Sequence, residues 1–392
     1  MYRETVVPTR AGTPFAPITF TAYPGETPVI SGAEQLTGWR VSSGAVYERP
    51  NVTVPPSVVA QDGEVLARAQ SKDGLVPGGF YYDNTTQTLY VRLYNDGDPN
   101  ASLVEAAVRS HAIGYLYTDY LVFDGFEIRH TNSVGVGLWG ASNVTLQNLV
   151  VHDTTDGGIQ IHNGSNDVVV RDSTIYDYGR NESYAYGIQV IGGSVEAKIR
   201  GNSVYMTYPG LGQDQTGIMI DQKGHASEIV GNTVRDNRNE GIVIFQQPDG
   251  VGATSVFANH VSGNGDTGIA VIQADSEGPV TIDIRGNVVL DNARRDTSDT
   301  HGIKVGGLAR GDSVVRVAEN QVSGTPSSQN GFEHNGIQIY ESKGVDVSEN
   351  EVSYVDIGVK LQSNATAWLT ANHIELTRET SILVDDTSAV LP

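Results

Sequence analysis

A glycine followed by alternating branched residues recurs through the chain, and no other feature restricts the fold as much. It reads Gly158-Ile159-Gln160-Ile161, Gly187-Ile188-Gln189-Val190, Gly217-Ile218-Met219-Ile220 and Gly241-Ile242-Val243-Ile244. It continues as Gly268-Ile269-Ala270-Val271, Gly302-Ile303-Lys304-Val305, Gly336-Ile337-Gln338-Ile339 and Gly358-Val359-Lys360-Leu361. A branched residue at every second place is the period of a strand with one buried face. Asparagine runs in step with it, at Asn148, Asn202, Asn232, Asn259, Asn287, Asn320, Asn350 and Asn372. Two markers repeating together predict a solenoid in which each turn adds one strand to a shared sheet. A buried Asn at a tight corner can hydrogen-bond its counterpart one coil away. A sandwich of short hairpins has no need of the same residue at the same corner.

Charge narrows the partners. With 25 basic and 46 acidic residues the net charge is −21, which excludes a nucleic-acid surface built on phosphate contacts. The same excess suits a soluble extracellular protein, or one holding a cation such as calcium between carboxylates, and solubility alone also accounts for it. Zero cysteines exclude disulfides and thiolate metal sites. No apolar run is long enough to cross a membrane, and nothing in the sequence sets an oligomeric state. The chain opens almost inside a strand, so a natural leader and a capping segment are expected outside this sequence, because an uncapped solenoid exposes strand edges.

Residues 1–32 read as opening strands (Glu4–Val7, Pro17–Ala22, Pro28–Gly32). Residues 33–112 break the rhythm. Trp39, Val46-Tyr47, Val58–Ala60, Glu64–Leu66, Phe80–Tyr82 and Thr88–Val91 predict a small antiparallel β insertion, with turn pairs such as Asp62-Gly63 and Asp83-Asn84. Residues 113–392 resume the solenoid, for an all-β chain of about ten coils.

The opening Tyr2–Val6, Gly12-Thr13, Ala16–Phe20, Pro24–Glu26 and Ile30–Trp39 resembles that of carbohydrate-active, pectin-lyase-like right-handed parallel β-helices. The insertion, with Phe80–Asp83, Thr88–Val91, Asp98–Asn100 and Val104-Glu105 leading into Tyr120–Phe126, is similar to β-helical glycoside hydrolases of the β-xylosidase kind. The likeness covers roughly the first 150 residues. It implies a right-handed helix, in keeping with the general rule for parallel crossovers, and a catalytic carboxylate four residues after a strand-opening residue. Asp221 in Gly217-Ile218-Met219-Ile220-Asp221 matches that place. The family's second acid would come from the next coil, where this sequence has Phe245.

Loop length suggests where a site lies. The stretch from ladder Asn to the next glycine is short at Asn232–Gly241 and Asn259–Gly268, and longer on both sides of them. Tall loops at 177–186 and 207–216 would face others at 291–301 and 325–335 across a gap of roughly 14 Å, given a strand spacing of about 4.8 Å. Its floor holds Glu240 and Asp266, whose carboxyls are expected on the order of 5–6 Å apart, near the separation of retaining glycosidases. A cation site or plain turn chemistry would use the same two residues. The expected walls carry Arg180, Glu182, Tyr184, Tyr186 and Asp214 on one side, with Arg294, Arg295, Asp296, His301, Glu333 and His334 on the other. Tyrosines stack on sugar faces and arginines pair with uronic carboxylates.

Three functions stay open at this point. The first is an extracellular glycoside hydrolase using Glu240, Asp266 and Asp221, with no required cofactor. The second is a polysaccharide lyase or epimerase on uronates, with Lys304 or Arg295 as base and His301 and His334 beside it. The third is a noncatalytic glycan-binding surface protein.

Overall fold

The computed structural model describes residues 1–180, 184–207, 215–221, 223–245, 252–273, 279–294, 300–308, 312–326 and 332–392. It is a right-handed parallel β-helix. Sheet I has 11 strands, from Ile113–Leu116 to Thr380–Val384, and contains every Gly-Ile phrase. Sheet II has 12, from Ile18–Thr21 to Ala389–Leu391, and sheet III has 11, from Val29–Ser31 to His373–Glu375. Each coil passes through sheet I, then II, then III, and the coils number eleven where about ten were expected.

The branched residues explain the stacking. Ile159, Ile188, Ile218, Ile242, Ile269, Ile303 and Ile337 pair in parallel register, each 1% exposed or less. Each such side chain contributes about 1.5–3 kcal/mol on burial. The glycine before each column is a packing requirement. A Cβ on Gly217 would lie 2.3 Å from Val234 Cγ1 and 2.6 Å from Gly241 O, so only hydrogen lets the chain bend onto the core valines.

The asparagine column is a continuous ladder. Nδ2 of Asn202, Asn232, Asn259, Asn287, Asn320 and Asn350 each donates to Oδ1 of the next, at 2.9–3.0 Å. Asn148 does not belong to it. It occupies the left-handed corner (φ 52°), and its Nδ2 donates outside the helix to Asp124 Oδ1 at 2.7 Å. The ladder place in that coil is taken by Leu149, whose N–H donates to Ser173 Oγ. A second, shorter column, Asn237–Asn264–Asn292, runs beside the passage from sheet III to sheet I.

Residues 33–112 form a five-stranded and a four-stranded sheet, largely antiparallel, around Trp39, Val59, Leu66, Phe80, Leu89 and Val104. Trp39 precedes its strand, and Glu4–Val7 makes only an isolated bridge at Val6. Asn132 ties the insertion to the helix, accepting from Ser57 N–H at 2.9 Å and donating to Pro55 O at 3.1 Å. Arg3 pairs with the fully buried Glu105. His130, also fully buried, lies 4.0 Å from Glu105 Oε2, and neither ring nitrogen has a hydrogen-bond partner among the described residues. Burial pushes its pKa down to about 4.

Because the unfolded chain binds a proton at His130 near pH 6.5 and the folded chain only near 4, stability falls as pH drops through that window. The loss from this residue is about 3 kcal/mol. Urea titrations at pH 7.5 and 4.5 should show it, and His130→Leu should flatten the dependence. An unchanged slope would contradict a neutral, buried imidazole.

Candidate functional site

The outward face of sheet I carries the groove. Two adjoining cavities, about 290 and 320 Å³, share Tyr184, Tyr186 and Asp221. The first is also lined by Asp156, Gln160 and Gln189, the second by Thr216, Met219, Asn239, Glu240, Phe245 and Ile272. Along each strand, alternate residues point outward. The parallel register therefore stacks Gln160, Gln189, Met219 and Val243 as one floor row. Gln160 Nε2 donates to Gln189 Oε1 at 2.9 Å, fixing both amides.

Three carboxylates reach this space from different coils. Asp221 follows the strand Gln215–Ile220 at its C-terminal end and is 7% exposed. Glu240 precedes the next strand, and its Oε2 accepts from Thr216 Oγ1 at 3.0 Å. Asp156 precedes Gly157–His162, and its Oδ2 accepts from Ser133 Oγ at 2.7 Å. Tyr184 stands 69% exposed above them, an orientation open to a ligand. Among the described residues, no Lys, Arg or His lines either cavity. Three rings, Tyr115, Trp139 and His162, contact one another on the preceding coils (centroids 5.1 and 4.2 Å) and lead toward the groove at Ile191.

Asp266 is not one of the groove acids. Ile242 pairs with Ile269, which sets Glu240 opposite Thr267, and Asp266 N–H donates to Asn239 O at 3.1 Å. Counted from its glycine, Asp266 is one place off, and Thr267 Oγ1 donates to its Oδ1 at 3.1 Å. Glu240 thus shares its described cavity with Asp221, and Asp266 lines neither of the two cavities. Asp266→Asn should change any hydrolytic rate less than twofold, measured beside the groove-acid variants.

The expected walls come together only in part. Tyr184 and Tyr186 line the groove. Glu182, Asp214, Arg295 and Asp296 lie outside the described residues. Arg180 faces away, toward Asp153, Asp177 and a cavity of about 370 Å³ against the insertion. Arg294 pairs with Asp236 Oδ1 at 2.7 Å. His301 is buried, which holds its pKa well below the usual imidazole value, with Lys304 and Lys360 adding to the effect. Its Nδ1 sits 3.3 Å from Asn335 Nδ2. His334 Nδ1 donates to Thr325 O at 2.6 Å. Lys304 stands on the floor row between Ala270 and Gln338, and Glu333 pairs with Lys360. These basic groups cluster on later coils and line neither groove cavity. Among the described residues, no three His, Cys, Asp or Glu side chains converge as a metal site.

Sequence reasoning missed Asp156, Gln160 and Gln189. Their signal was present: an acid just before a strand glycine, as at Glu240, and an amide at the outward place of a Gly-Ile-x-Ile phrase.

The family described as a right handed beta helix region matches residues 111–292. Among solved structures, the chain is similar to that of XylC in complex with xylose. The identity is 15% and the TM-score 0.60, over 97% of this chain and 79% of that one. A second, a glycoside hydrolase, is 10% identical with TM-score 0.53, over 98% of this chain and 87% of that one. No curated protein matches the chain. At these identities the likeness establishes the fold.

Proposed function

We propose that the chain is a glycoside hydrolase acting on a neutral oligosaccharide or polysaccharide, with Asp221 and Glu240 as its two catalytic carboxyls. One observation carries the reading: both line a single cavity of about 320 Å³ from opposite ends of adjacent strands. Glu240 lies opposite Thr216, and from Thr216 to Asp221 is five strand steps, about 16 Å between backbone rows, before the side chains converge. That width suits a water held between base and sugar, as in inverting hydrolysis, better than the roughly 5 Å of a retaining pair. Glu240, accepting the Thr216 hydroxyl, is the base that activates water. Asp221, at the far end of the same cavity from Glu240, is the acid that protonates the leaving oxygen.

Three described acids line the groove, a setting that suits a neutral sugar better than a uronate, whose carboxylate they would repel. The solved neighbours support a sugar ligand: one holds xylose and the other is a glycoside hydrolase. The chemistry needs only two carboxyls and water, so chelation with EDTA should leave the rate within twofold. A calcium requirement would appear as a loss restored by added calcium.

The test is incubation with neutral and uronic glycans, reading reducing ends, ultraviolet absorbance and the anomer first formed by NMR. The reading expects cleavage of neutral glycans with inversion. Absorbing, unsaturated products from uronates would overturn it in favour of a lyase, and binding without cleavage in favour of a surface lectin-like role.

A further inference from the structure

A buried ion cluster lies behind the groove wall. His152 Nδ1 is 2.7 Å from Asp153 Oδ2, and its Nε2 is 3.4 Å from Glu127 Oε1. Asp153 Oδ1 accepts from Arg180, which also lies 3.8 Å from Asp177. Side-chain exposures are 9% for His152, 10% for Asp153, 8% for Asp177 and 18% for Arg180. Charges this buried are held only by partners.

The cluster grips both tall loops at their stems. Arg180 N–H donates to Thr154 O at 3.1 Å. Asp177 accepts from Thr207 N–H and Oγ1 at 2.7 and 2.5 Å, at the start of the second loop. At its return, Gln215 Nε2 donates to Gly179 O at 3.0 Å, and Tyr178 OH to Thr216 O at 3.0 Å. Thr216 then donates to Glu240. Hydrogen bonds and the short backbone runs 177–180 and 215–216 thus join the cluster to a groove acid.

We propose that Arg180, clamped between Asp153 and Asp177, is a positioning residue that holds the stems of both loops, and with them Tyr184, Tyr186 and Thr216, at one height over the groove. The inference rests on the groove reading above but not on the reaction assigned to it.

A pH limit follows. With His152 protonated, three cations (Arg129, Arg180, His152) balance Glu127, Asp153 and Asp177. His130 beside them stays neutral, Tyr176 stacks on the His152 ring at 4.7 Å, and Glu105 is matched by Arg3. Burial works against the charged imidazole, but the hydrogen bonds with Asp153 and Glu127 outweigh it and raise the His152 pKa above its usual value. Stability from this group is therefore complete at pH 6 and lost as pH rises through the raised pKa, leaving one buried negative charge in excess.

Hydrogen–deuterium exchange of the intact chain tests this without any glycan. Arg180→Met and Asp153→Asn should speed exchange at 185–190, 203–207 and 215–220 at least tenfold, with 334–362 unchanged. Arg180→Lys should restore part of the protection. Thr207→Val, which removes one contact and no charge, should loosen 203–207 and 215–220 alone. In wild type, after correction for intrinsic rates, the same segments should loosen between pH 6 and 9, and His152→Gln should abolish that step. If a cleaved glycan is in hand, Arg180→Met should raise KM about tenfold with kcat within threefold. Unchanged exchange at the loop stems, or an equal rise in every coil, overturns the proposal. A loss of all hydrolysis in wild type would sink the enzymatic reading and leave the exchange result to stand by itself.

Discussion

Glu240→Gln should lower kcat by about a thousandfold, within the range that a positioned acid or base contributes, while circular dichroism and melting stay those of the wild type. Glu240 sits before its strand and accepts from the Thr216 hydroxyl, and Gln keeps its size and its place beside Thr216. What it loses is the ability to take a proton from water. Asp221→Asn should be as damaging on a natural glycoside, whose leaving group needs protonation. It should be far milder on an aryl glycoside that departs unassisted. That contrast assigns the roles. If instead Glu240→Gln spares hydrolysis and Asp221→Asn is indifferent to the leaving group, the assignment of base and acid is wrong. Asp156 is the third groove acid, and its neighbours Gln160 and Gln189 suggest sugar binding, so Asp156→Asn should raise KM more than it lowers kcat.

The second large effect concerns the helix itself. Asn259 accepts at Oδ1 from Asn232 N–H and Nδ2, at 2.9 and 3.0 Å. It donates from Nδ2 to Ile229 O at 2.8 Å and to Asn287 Oδ1 at 3.0 Å. Asn259→Ala strands buried donors and acceptors on both neighbouring coils, each costing 1–3 kcal/mol, for a total of about 5 kcal/mol. Asn148→Gly, which keeps the left-handed corner (φ 52°) and removes only the bond to the half-buried Asp124, should cost less than about 1 kcal/mol. Chemical denaturation of the two variants checks the contrast. Equal losses would mean that the ladder contributes nothing beyond an ordinary corner.

The fold was legible because it repeats. Ile218, Ile242 and Ile269 had to share a column if the phrase meant a coil, and the glycine before each had to meet a core valine. The ladder misread one coil for a local reason. The corner before sheet III needs a left-handed residue, a role that Gly201 (φ 64°) and Asp172 (φ 52°) fill elsewhere. Asn148 satisfies the same need and so imitates a rung. The site was legible only in part, because a side chain's neighbours depend on register to the single residue. Glu240 and Asp266 look equivalent in a list of coils, yet one stands directly before its glycine and the other two places before. Arg180 read as a wall cation because sequence shows loop membership but not the buried Asp153 and Asp177 that turn it inward. Asp221 was reached through a family likeness. The Phe245 that stands where the family's second acid would be left that partner open in the sequence, and Glu240, one coil on and at the opposite strand end, lines the same cavity as Asp221.

The most direct test is a crystal structure of the Glu240→Gln variant soaked with the neutral oligosaccharide that wild type cleaves. A sugar stacked beneath Tyr184, with its glycosidic oxygen at Asp221 and a water beside residue 240, is the expected result. A glycan ordered over Lys304 and Gln338, or along another sheet with the cavity at Asp221 left to solvent, would contradict the assignment.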